Sequence, residues 1–149
     1  MVAAKSSRLW GGLQENDLIV VDTAPLIYLL ENNPLASSFE GLFKAADQGR
    51  LQMAISTISL AEVLAGPLKQ GRDALAKRYE KALADFELIP VSIEISITAA
   101  RLRAGSGLRL PDAILAATAL ETGAAALVTH DRDFSKLSGL KVLLGPALK

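Results

Sequence analysis

Five carboxylates stand where apolar runs end or begin. Asp22 follows the β-branched run LIVV directly, and Glu62 lies within STISLAEV. Asp112 opens LPDAILAATAL, and Asp131 and Asp133 follow ALVT within THDRDF. No Lys sits inside these motifs to compensate them. Carboxylates gathered that way repel one another unless they are protonated or neutralised by a cation. Hard carboxylate oxygens, in a chain with no Cys and a single His, suit Mg²⁺ or Mn²⁺ rather than a thiolate- or imidazole-bound metal. Each acid also has a simpler reading. Asp22 before Thr23-Ala24-Pro25 fits a helix N-cap, Ser59 to Glu62 fits a capping box, and Asp112 just after Pro111 fits a capping acid. At a helix mouth, the free N–H groups and the helix dipole should keep Asp112 ionised.

The elements that must carry these acids alternate. Leu18 to Val21 is a short, continuous apolar run, the pattern of a strand covered on both faces. Similar runs at 51–56, 86–91 and 126–129, and from Lys141, predict further strands, with Pro90 marking an edge. Between them lie helical patterns. One follows Asp22. A second starts at Pro34, with Leu35, Phe39, Leu42, Phe43 and Ala46 on one stripe, and stops near Gly49. A third covers 57–64 and gives way to a surface loop bracketed by Gly66-Pro67 and Gly71. A fourth starts at Asp73 with Leu75, Tyr79 and Leu83 in register. A fifth covers 93–104 and carries Arg101 and Arg103, and the apolar helix after Pro111 ends at Gly123.

Short buried strands alternating with helices predict one three-layer α/β/α sandwich around a mostly parallel sheet of about five strands. Ligands bind beyond the carboxyl ends of such strands, and that is where separate segments deliver their acids. The domain is expected over 18–149, preceded by a loose extension, 1–17, that Trp10 pins to the body.

Composition sets the bounds. The chain has 149 residues, half of them apolar, and a mean hydropathy of +0.31, which fits a packed globule. Lys plus Arg and Asp plus Glu each number 16, so nucleic-acid binding would need a local basic patch. Without Cys there are no disulfides and no thiol chemistry. No apolar run approaches the ~20 residues of a membrane span, and the first 17 residues hold no secretory apolar stretch. A cytoplasmic protein is the expectation.

VDTAPLIYLLE (21–31), STISLAEVLAG (56–66), LPDAILAATAL (110–120) and LVTHDRDF (127–134) resemble the four motif regions of PIN-domain ribonucleases. The resemblance is nearest to the VapC toxins of bacterial toxin–antitoxin pairs and runs from Leu18 to Leu144 in the same order. It implies that Asp22, Glu62, Asp112 and Asp131 form the acidic quartet, with Asp133 a further acid. It also implies that Thr23 and Thr129 stand beside the metal site. The extension before Leu18 is longer than is usual in such toxins, and His130 is read as an ordinary loop side chain.

The resemblance implies Mg²⁺-dependent endoribonuclease activity, with Mn²⁺ able to substitute. Asp22, Asp112 and Asp131, with Asp133, would be metal ligands. Glu62 would orient or deprotonate the attacking water, or bind a second ion. An acidic pocket repels RNA, so basic residues must grip the flanking phosphates, and Arg101, Arg103 and Arg109 are the best placed. Their alternative reading is solvated surface charge. A VapB-like antitoxin is implied, its disordered tail folding on binding and placing an Arg or Lys among the acids. A homodimer is implied as well. Leu26, Leu29, Leu30, Leu75, Tyr79 and Leu83 would either form its contact or face the monomer's own core.

Rival readings are a PIN-like docking module without turnover, an RNA-processing nuclease that is not a toxin, and a phosphate-handling α/β protein. The last is disfavoured, because Asp22-Thr23-Ala24 lacks the second acid of a DxD pair.

Overall fold

The computed structural model describes residues 10–145. The apolar runs form β1 (Leu18–Val21), β2 (Gln52–Ser56), β3 (Glu87–Ile89), β4 (Ala126–Thr129) and β5 (Val142–Leu144). They make a five-stranded sheet in the order β3-β2-β1-β4-β5, every neighbouring pair parallel. The connecting helices are α1 (Thr23–Leu30), α2 (Glu40–Asp47), α3 (Thr57–Lys69), α4 (Asp73–Leu83), α5 (Ile93–Ser106) and α6 (Leu110–Glu121).

Side chains alternate across each strand and so feed two cores. Ile19, Val21, Met53, Ile55 and Val128 pack on one face with Leu26 of α1, Phe39, Leu42 of α2, Val63 of α3 and Leu83 of α4. Val20, Ala54 and Leu127 pack on the other face with Leu115, Ala116 and Ala119 of α6 and with Phe134. Ile95 and Ala99 of α5 cover the outer side of α6. The result is the expected three-layer sandwich, with α1–α4 on one face of the sheet and α5–α6 on the other. No helix among the described residues is long and apolar enough to cross a membrane.

The sheet order matters for the site. From β1 the chain moves to β2 on one side, and from β4 it moves to β5 on the other. The crevice beyond the carboxyl ends of β1 and β4 is therefore the switch point of the sheet, where α/β proteins place ligands. The backbone N–H of Asp22 donates to the Val128 carbonyl at 2.8 Å and closes the floor of that crevice.

Helix α6 turns Leu115, Ala116 and Ala119 to the sheet, and Ala113, Ile114 and Ala117 to α5. Ala113, Ala116, Ala117 and Ala119 have no exposed surface. Pro111 sits in its first turn, where no intrahelical N–H is required, and Gly123 ends it with a positive φ of 67°. Gly107 ends α5 in the same left-handed conformation (φ 73°), so a short turn joins α5 to α6.

Three local expectations are corrected. Helix α3 does not stop before Gly66-Pro67 but continues to Lys69. Pro67 falls in its last turn, where few intrahelical bonds remain to be lost, and its ring is buried. The helix expected from Pro34 begins as a 3-10 segment (Pro34–Phe39) before α2, which leaves Leu35 exposed while Phe39 and Leu42 are buried. The stretch before β1 is not loose throughout. Leu13 is buried in the core, the Asn16 N–H donates to the Arg50 carbonyl at 2.8 Å, and Glu15 pairs with Arg50 at 2.5 Å. Trp10's side chain, and with it the expected pinning, lies outside the described residues, as do residues 1–9. Among the candidate dimer contacts, Leu26 and Leu83 are fully buried in the monomer and Leu30 and Tyr79 pack against its core, while Leu29 is exposed.

The packing of α6 against the sheet gives a stability prediction. Ala116→Leu should destabilise the domain by about 1–3 kcal/mol through overpacking. Urea unfolding should show a lower midpoint, and an unchanged midpoint would contradict this packing account.

Candidate active site

Asp22 is the last residue before α1 and serves as its N-cap. Its Oδ1 accepts the Thr23 N–H at 2.7 Å, and its Oδ2 accepts the Thr129 hydroxyl at 2.7 Å. Both carboxylate oxygens are thus fixed by the ends of the two switch-point strands. The residue is only 8% exposed. Burial, above all, pushes its carboxyl above the ordinary aspartate range. The bonds from Thr129 and Thr23 counteract this, and the charges of Asp112 and Glu62 add to it.

Glu62 reaches the same place from α3. The expected capping box does not form, because Ser56 caps α3 by accepting the Ile58 N–H and Ser59 lies inside the helix. Ser59 and Glu62 instead both meet Thr23. The Thr23 hydroxyl lies 2.7 Å from Glu62 Oε1 and 2.9 Å from Ser59 Oγ. A hydroxyl carries one hydrogen, so Thr23 donates to the carboxylate and accepts from Ser59. Glu62 is exposed, and Ser59 is fully buried.

Asp112 lies in the first turn of α6, yet its partner is Arg109, whose Nε donates to Oδ2 at 3.2 Å. The aspartate side chain is 10% exposed and the arginine 78%. Burial raises the Asp112 carboxyl above its usual range. Arg109 opposes that shift, and Asp131 and Asp133 add to it. Burial thus works against the ionised form that the helix mouth favours, and the opposing cation is the Arg109 side chain.

After β4, Thr129 is fully buried and its hydroxyl oxygen also accepts the Asp131 N–H at 2.9 Å. Asp131 Oδ1 in turn accepts the Asp133 N–H at 2.9 Å. Asp133 is exposed and lies 3.8 Å from Lys136, outside the cleft that Asp131 lines. Of this doublet, Asp131 is the acid beside the others.

A cleft of about 500 Å³ gathers Asp22, Thr23, Glu62, Asp112 and Asp131 together with Arg109. Arg101 and Arg103 are exposed on α5 and do not line it. Of the lining residues that the sequence reading did not place at the site, two follow Thr129 in the fourth motif. Arg132 is one, and its position between two acids of the fourth motif was the available signal. The other is His130, which is no ordinary loop side chain. Its ring packs edge-on against Tyr28 and Phe39 at 5.7 and 6.2 Å, and its buried Nδ1 has no hydrogen-bond partner.

The donor set fits a hard divalent cation in type and charge: carboxylates only, two of them buried and both shifted upward, first by burial and then by neighbouring acids. Among the described residues, however, no group of three or more His, Cys, Asp or Glu side chains is already arranged to hold a metal ion. Each inner acid is instead engaged by its own neighbour, Asp22 by Thr129, Glu62 by Thr23 and Asp112 by Arg109.

The PIN domain family model matches residues 19–140. By sequence, no curated protein matches the chain. Among solved structures, the chain is similar to one in a toxin–antitoxin complex from Klebsiella pneumoniae, at 31% identity and a TM-score of 0.68, covering 85% of this chain and 97% of that one. A VapBC complex from Rickettsia felis bound to a DNA fragment from its promoter gives 23% identity and a TM-score of 0.70, over 84% and 96% of the two chains. A sarcin–ricin loop cleaving VapC toxin from Mycobacterium tuberculosis gives 15% and 0.63, over 82% and 95%, which is likeness of fold alone. The family match spans every acid of the cleft, and with the Klebsiella relative it makes this chain a VapC-like member of the PIN-domain family of metal-using nucleases.

Proposed function

We propose that this chain is a Mg²⁺-dependent endoribonuclease and the toxin of a toxin–antitoxin pair. The observation that carries the reading is the convergence of Asp22, Glu62, Asp112 and Asp131 in one cleft at the switch point of the sheet. A fold kept only for docking has no need of acids held at such an electrostatic cost. RNA as the polymer is supported by the Mycobacterium relative, described as cleaving the sarcin–ricin loop.

Asp22, Asp112 and Asp131 would hold Mg²⁺ (or Mn²⁺), and Asp133, turned towards Lys136, would act from outside the cleft. The bound cation supplies a lowered pKa for water and neutralisation of charge on the phosphoryl oxygens. Glu62 is suited to orient the attacking water or accept its proton: it is solvent-exposed, and the Thr23 hydroxyl fixes only one of its oxygens. Thr129 holds Asp22 and the Asp131 backbone in one frame, and Thr23 does the same for Asp22 and Glu62. Arg109 and Arg132 at the cleft, and Arg101 and Arg103 further along α5, would meet the RNA phosphates.

A VapB-like antitoxin is the proposed partner, in line with the toxin–antitoxin complexes among the relatives. A groove of about 420 Å³ between α1, α3 and α4 supports this reading. Ile27, Leu30, Val63, Leu75 and Tyr79 line it together with Glu31, Glu62, Gln70 and Arg72, so a tail carrying both apolar and charged side chains would end beside the acids if it lay there. Homodimerisation is also proposed, through a surface other than the one the sequence suggested. The most exposed large apolar side chains are Ile93 (75%), Leu110 (50%) and Ile97 (48%) on α5 and α6, with Leu68 (51%) on α3.

Asp112→Asn should lower RNA cleavage at least ~100-fold while leaving the unfolding midpoint unreduced, as expected when one charged transition-state contact is removed. EDTA should abolish cleavage by the wild type. Cleavage that persists in EDTA, or in this variant, would overturn the mechanism.

The raised carboxyls also set a pH dependence. A folded pKa above the unfolded value adds stability that is full below the unfolded pKa, roughly 3.9 for aspartate, and is lost as pH rises through the folded pKa. Near neutrality and in EDTA, Asp22→Asn should therefore melt about 2–4 °C above wild type, with the difference vanishing in acid. Thermal melts from acid to neutral pH check this, and a constant difference across the range would contradict it.

For the dimer, Ile93→Asp combined with Ile97→Asp should give the monomer mass in multi-angle light scattering where the wild type gives twice that mass. A wild type already monomeric at micromolar concentration would exclude the dimer.

A further inference from the structure

Two arginines line the cleft, Arg109 and Arg132, and of these Arg109 forms an ion pair with one of its acids. Arg109 precedes α6 as its N-cap residue but makes no side-chain cap bond. Its guanidinium turns into the cleft instead and pairs with Asp112 through Nε at 3.2 Å. Asp112 is the buried member of that pair and Arg109 the exposed one, so the arginine can leave at little cost while the aspartate cannot. Asp131 and Glu62 also act on the guanidinium electrostatically. No other ion pair among the described residues reaches a carboxylate that lines this cleft.

We propose that Arg109 is a built-in counter-ion that occupies the metal position's charge when the cation is absent and is displaced onto an RNA phosphate when the cation binds. This inference rests on the nuclease reading above and goes beyond it, for it makes one residue both a competitor of the metal and a substrate contact. The physical basis is an exchange of partners. Without a cation, the buried Asp112 carboxylate among like charges needs a positive neighbour, and Arg109 supplies one. A divalent cation on the same carboxylates removes that need and frees a planar donor fork at the rim of the cleft. A phosphate arriving there offers acceptors of matching geometry. Arg109 would then be a positioning residue that couples cation binding to RNA binding, raising the cation concentration at which the site fills and lowering the RNA concentration at which it is used.

The coupling separates in an experiment that needs no turnover. Mn²⁺ titrations of the full chain, read by thermal shift without RNA, would compare wild type with Arg109→Ala, Arg109→Gln and Arg109→Lys. The neutral variants should reach their midpoint at about threefold to fivefold lower Mn²⁺, the range expected for losing one solvent-exposed ion pair. Arg109→Lys should stay near wild type. Binding of a single-stranded RNA oligonucleotide, measured by anisotropy in Ca²⁺ to suppress cleavage, should weaken in the neutral variants, and its log–log salt slope should fall by about 0.7. An unchanged or higher Mn²⁺ midpoint in Arg109→Ala, with wild type responding normally, overturns the counter-ion role alone. An unchanged salt slope overturns the transfer to phosphate. A wild type that shows no response to Mn²⁺ overturns the nuclease reading and this proposal with it.

Discussion

Two carboxylates held out of water within one another's field are the constraint around which this molecule is arranged. Asp22 and Asp112 are almost fully buried and come from different segments, and among the described residues the one ion pair that reaches either is Arg109 on Asp112. An ionised group in that position is costly, and the fold meets the cost piecemeal: two hydrogen bonds to Asp22, a guanidinium on Asp112, and carboxyls shifted towards the protonated form. Such a pocket is poor design for stability alone. It is what a site needs if its stabilising partner is a cation that comes from solution.

The scaffold keeps that tension from relaxing. If the acids could move apart, the repulsion would disperse, but each is anchored by backbone that is itself buried. Asp22 is fixed by the bond from its own N–H to β4 and by its cap of α1. Asp112 is fixed by a helix whose Leu115, Ala116 and Ala119 pack against the sheet. Thr129 joins the two sides of the crevice, since its one hydroxyl serves both Asp22 and Asp131. Phe134, fully buried a few residues on, holds the loop bearing Asp131 to the second core. Glu62, by contrast, is exposed and tethered through Thr23, an arrangement suited to a group that must handle solvent.

The cleft's neighbours extend the same logic outward. On one side, Tyr28 and His130 give it an aromatic wall. On the other, Arg109 places mobile positive charge over fixed negative charge. The groove between α1, α3 and α4 shares Glu62 with the cleft and mixes apolar side chains with Glu31, Gln70 and Arg72. A ligand entering this region therefore meets an arginine, carboxylates and a groove of mixed apolar and polar surface within a short span.

How much of this the sequence alone determined follows from the range of the forces involved. Local patterns settled the layers: β-branched runs such as LIVV and ALVT could only be strands covered on both faces, and the Ala-rich run after Pro111 could only be a buried helix. Because parallel sheets bind ligands beyond their carboxyl ends, the acids at those positions were legible too, and the four motifs pointed to the family. Gly66-Pro67 misled because a proline is punctuation only while a helix has turns left to lose. What the sequence could not decide were relations between segments far apart in the chain. Ser59 and Glu62 read equally well as a capping box until α3 started early enough to turn both towards Thr23. The surroundings of Asp112 depended on its burial and on Arg109 reaching it. His130 looked like a loop residue until Tyr28 and Phe39 closed around it. In each case the deciding energy came from desolvation or from a contact made only after the sheet had assembled, and no window of neighbouring residues contains that information.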